Sequence, residues 1–76
     1  MKKMNKTECI EFIVKMMKER DEKRKKAKTM KEYMSLDCFE ECEKVCAESG
    51  YTKDCFYDLW TRATRIIAIE NGVYRP

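Results

Sequence analysis

The chain has no histidine at all, two glycines and one proline among its 76 residues. Each scarcity excludes something. Without histidine the usual general base is missing, and a zinc site would have to be built from thiolates with carboxylate help. Two distant glycines make no glycine-rich phosphate loop. So few turn-formers argue against an all-β fold, which needs a turn signal every 8–12 residues or so. No stretch approaches the ~20 apolar residues of a membrane span, so no membrane association is expected. The lysine-rich amino terminus lacks the apolar run and small-residue cleavage site of a secretory leader.

Charge is plentiful, at 41% of residues, and hydrophobic residues make up 43%. That balance supports one small folded domain over 1–76, not a disordered chain. A chain this short buries only about 60% of its unfolded surface, so a homodimer is expected to supplement its core. The net charge of +3 is unevenly placed. Residues 1–34 carry twelve basic and six acidic side chains, whereas residues 35–76 carry five basic and eight acidic ones.

Five cysteines are present. The odd count and the four-residue spacing of Cys38, Cys42 and Cys46 argue against a disulfide framework. Side chains stacked along one helix face run parallel and do not converge on each other. Reduced thiols imply a cytoplasmic location. The row is read as small core hydrophobes, with soft Cu(I) binding as the sharper alternative. No metal ligand set and no cofactor are assigned. A cysteine nucleophile would find only lysine or a carboxylate as its base, so no catalytic residue is assigned and no enzyme is expected.

Three helices are predicted. The first, over about 5–28, opens with an Asn5-x-x-Glu8 capping box and carries Cys9, Ile10, Phe12, Ile13, Met16 and Met17 at helical spacing. Its continuation, Lys18 to Lys28, holds one apolar residue, Ala27, but has acid-to-base pairs four apart. It reads either as solvated helix or as linker. The second, over about 35–49, is capped by Ser35, buries Phe39, Cys42, Val45 and Cys46, and stops at Gly50. The third, over about 52–70, is capped by Thr52 and carries an apolar stripe of Phe56, Leu59, Trp60, Ala63, Ile66 and Ile67. Asn71-Gly72 beyond it also fits a hairpin turn, leaving open a short C-terminal β-ribbon. The fold class is therefore all-α: a small three-helix domain with a long charged first helix and a tight corner between the last two.

That corner carries the most specific pattern in the chain. Cys46 lies one turn before Gly50, Tyr51 follows the glycine, Thr52 caps, and Phe56 and Leu59 face back. The segment 42–61 resembles the helix-turn-helix of DNA-binding regulators at superfamily level. The resemblance implies a DNA-binding transcriptional regulator or accessory protein, with Thr52, Lys53, Tyr57, Thr61, Arg62 and Arg65 toward the duplex. A second function class is a non-enzymatic interaction module, a partner-binding inhibitor or adaptor of the kind phages and mobile elements carry. Its protein-binding residues would be Tyr57, Trp60, Glu40 and Glu41, aromatic anchors beside an acidic face.

Overall fold

The computed structural model describes residues 3–72. Helix α1 spans Lys6–Lys25. The Asn5 side chain accepts the Glu8 amide at 2.8 Å, and the Glu8 carboxylate accepts the Asn5 amide at 3.1 Å. This reciprocal box satisfies two donors that a helix start leaves unpaired. Lys23, Arg24 and Lys25 close the helix, where cations favour the negative end of the dipole.

The predicted first helix, 5–28, thus overruns the observed end by three residues. The chain breaks after Lys25 and starts a six-residue helix, α2 (Met30–Ser35), that the three-helix expectation lacks. Its cap is Thr29, whose hydroxyl accepts the Glu32 amide at 3.1 Å while the Glu32 carboxylate accepts the Lys28 amide. Ser35 is therefore the end of a helix and not the cap of the next. Its hydroxyl donates to the Glu32 carbonyl at 2.7 Å.

Helix α3 begins later than predicted and spans Phe39–Glu48. The Asp37 carboxylate takes the first amide, accepting from Phe39 N at 3.1 Å. A Schellman motif ends it: Tyr51 N donates to the Cys46 carbonyl at 3.1 Å, and Gly50 N to the Ala47 carbonyl at 2.9 Å. Gly50 sits at φ +93°, the left-handed region where a Cβ is penalised. Two residues later Thr52 accepts the Cys55 amide at 3.2 Å and opens α4 (Lys53–Glu70). Ile66 to Ile69 are helical, so no ribbon begins there. Val73 and Tyr74, its other half, lie outside the described residues.

The protein is a small all-α domain. Helix α1 packs chiefly on α4, and α3 packs against both. The core takes equal parts from each: Cys9, Ile13 and Met17 from α1, Cys38, Cys42 and Cys46 along α3, and Phe56, Leu59 and Ala63 from α4. Helix α2 contributes nothing to it. Among the described residues no charged or polar side chain is buried. No described helix is long and apolar enough to cross a membrane.

Candidate functional site

Helices α3 and α4 meet through their aromatic residues. Phe39 stands at the start of α3, and the adjacent Phe56 and Tyr57 sit one turn before Trp60 on α4. The Trp60 ring meets Phe39 edge-on at 5.0 Å, and Tyr57 stacks on Phe39 at 5.9 Å with 30° between planes. Phe56 lies beneath, edge-on to Phe39 at 5.2 Å. Offset and edge-to-face contacts of this kind match the ring quadrupoles. Phe56 is buried and Phe39 and Trp60 are half-buried, but Tyr57 remains 45% exposed. The result is an aromatic surface with a buried root.

Acids surround it. Glu40 and Glu43 lie one residue and one turn beyond Phe39 on α3, while Asp54 and Asp58 flank Tyr57 on α4. Residues 37–61 carry seven acidic and two basic side chains, a net of −5.

Of the residues assigned to DNA contact, Lys53, Tyr57, Thr61 and Arg65 follow each other at four-residue intervals along one exposed row of α4. Their chemistry is partly committed inside the helix. The Thr52 hydroxyl serves as the cap. The Thr61 hydroxyl donates to the Tyr57 carbonyl at 2.9 Å. Arg62 falls off the row and pairs with Asp58 at 3.0 Å.

Of the residues assigned to protein contact, Tyr57 and Trp60 come together on Phe39, and Glu40 is exposed and adjoins Phe39 in sequence. Glu41 lies elsewhere. It lines a groove of about 140 Å³ on the other side of α3 with Arg20 and Lys23. Phe39 belongs to the patch but was not among the sequence candidates for binding. Its four-residue spacing from Glu43 shows only that the two share a face of α3.

The cysteine row fills the core. Burial, reinforced by neighbouring thiols, pushes Cys42 and Cys46 up to about 12. Burial also raises Cys9 and Cys38. A thiol held neutral is a poor nucleophile and must lose its proton before it ligates a metal. Among the described residues no three cysteine or carboxylate side chains converge as a metal would require.

No protein-family model, curated protein or solved structure matches the chain.

Proposed function

We propose that the chain is a non-catalytic protein-interaction module whose α3–α4 corner receives a cationic segment of a partner. The observation that carries this reading is the Phe39–Tyr57–Trp60 surface on a corner whose residues 37–61 carry a net −5. Tyrosine and tryptophan anchors supply apolar area at low entropic cost, and lysine or arginine gains both cation–π and Coulomb attraction there. The five free cysteines fit a reducing cytoplasmic setting for this role.

Trp60 is the only tryptophan and reports directly on the patch. The test is a fluorescence titration with a lysine–leucine amphipathic helical peptide, using its glutamate–leucine counterpart as control. Saturable change with the first and none with the second is expected, weakened by Tyr57→Ala. An unresponsive Trp60 sinks the reading.

A second reading keeps the DNA-binding regulator implied by the helix-turn-helix resemblance. The glycine turn, the Thr52 cap and the exposed Lys53–Tyr57–Thr61–Arg65 row favour it. The corner's net −5 charge opposes it, because phosphate neutralisation dominates such binding. Anisotropy with duplex DNA at low salt separates the two. Tight binding lost on Lys53→Glu would favour DNA.

A further inference from the structure

The opposite chemistry is displayed on the other half of the molecule. Residues 23–31 hold six lysines and arginines and no acid. They finish α1, cross the turn and enter α2. Within α2, Met30 is 73% exposed and Met34 66%. One turn apart, they share a face. Six residues do not make a helix stable by itself. Its attachment runs through Arg24, whose Nε donates to the Leu36 carbonyl at 3.0 Å and whose guanidinium lies 4.7 Å from the centre of the Tyr33 ring. Helix α2 is thus a methionine pair presented on a short platform, with cations on its approach and one acid, Glu32, whose carboxylate caps the Lys28 amide.

This surface is the chemical converse of the corner. One has thioether anchors with cations, the other aromatic anchors with carboxylates. Thioethers pack well against aromatic rings, and Lys28 and Lys31 match the charge of Glu40, Glu43 and Asp54, while Asp58 is paired with Arg62. Within one chain neither surface covers the other, since Met30, Met34 and Tyr57 all stay exposed. A nucleic acid would engage the cations but leave the methionines bare.

We propose that the partner of the corner is a second copy of this chain, docked head to tail through the methionine face of α2. This rests on the reading of the corner as a receiver of cationic segments and specifies which segment it receives. A contact between two different surfaces leaves one of each free at the ends. It therefore propagates into chains or closes into a ring.

Sedimentation velocity of the full chain tests it. The weight-average mass is expected to rise with protein concentration at low salt and to fall back at high salt. Met34→Glu and Tyr57→Lys, both at exposed positions, are each expected to stay monomeric, with circular dichroism confirming that they fold. Mixed in equal amounts they should form a heterodimer that stops at two, since one retains the corner and the other retains α2. A wild type that stays monomeric overturns the proposal, as do single variants that associate like the wild type or a mixture that remains monomeric. If the lysine–leucine peptide still alters Trp60 while self-association is absent, the corner reading stands and the second copy is wrong. If both are absent, the corner reading fails too. Duplex DNA bound in place of self-association, and lost on Lys28→Glu with Lys31→Glu, would overturn it in favour of nucleic acid.

Discussion

The Tyr51 hydroxyl donates to the Met4 carbonyl at 3.1 Å, and the Met4 amide donates to Ser49 Oγ at 3.2 Å. Both backbone groups of Met4 are therefore held by residues on either side of Gly50. The lead into α1 is fastened to the turn that sets the angle between α3 and α4. Tyr51 does two jobs at once, since its amide closes the Schellman motif while its ring packs against the core. The corner that presents the aromatic patch is thus braced from outside.

Tyr51→Phe keeps the ring and removes the clasp. A net loss of about 0.5–1.5 kcal/mol is expected for one hydrogen bond. In a domain of this size each kcal/mol lowers Tm by roughly 4–8 °C. Ser49→Ala should cost less when added to Tyr51→Phe than alone, because both bonds hold the same residue. Thermal unfolding of the two single variants and the double one checks this. Strict additivity would show that the two bonds act separately.

Gly50→Ala isolates the backbone contribution. An added Cβ meets nothing within 4 Å, so no clash enters and only the positive φ is penalised. The expected cost is about 1–2 kcal/mol. Gly50→Asn should lose less, because asparagine tolerates the left-handed region better. Urea unfolding measures both, and equal midpoints for the wild type and Gly50→Ala would mean the turn relaxes to another geometry.

Local chemistry in the sequence located most of the fold. Asn5–Glu8, Gly50 and Thr52 mark helix ends through hydrogen bonds made within a few residues, and such signals survive whatever the rest of the chain does. The break after Lys25 was the hard part. Lysine and glutamate at helical spacing favour continuation, yet no apolar stripe anchors that stretch to a neighbour. Thr29–Glu32 is the same kind of cap as Asn5–Glu8 and was legible in principle. Ser35 misled because a serine before an apolar residue fits a cap as well as it fits a last turn, and Asp37 two residues on takes the amide instead. The patch was half legible. Tyr57 and Trp60 stood out as aromatics, but only the packing of α3 on α4 brings Phe39 between them and turns Glu41 away.

Arg24→Ala should release α2 without unfolding the domain. The substitution removes both the bond to Leu36 and the contact with Tyr33, while the nine buried core residues are untouched. Amide exchange across residues 30–36 is expected to rise sharply, and exchange in α4 to stay as it was. Arg24→Lys should behave almost like alanine, because an ammonium lacks the planar group that stacks on a ring while donating sideways. Lost protection throughout the chain would show that α2 supports the core after all.

The buried thiols make stability fall at alkaline pH. Burial penalises the thiolate and pushes Cys42 and Cys46 up to about 12 when folded, against 9.0 for a thiol in water. The unfolded chain releases these protons first as pH rises, so above 9.0 the native state binds more protons than the unfolded one. Stability is then fully present below that pH and is lost progressively toward about 12, by at most about 1.4 kcal/mol per pH unit for each thiol. Cys42→Ala leaves a small cavity and lowers stability at neutral pH, but it removes one titrating group. Its urea midpoint should therefore fall less steeply than that of the wild type between pH 9 and 11. Parallel slopes would mean that the Cys42 thiol ionises as readily in the core as in water.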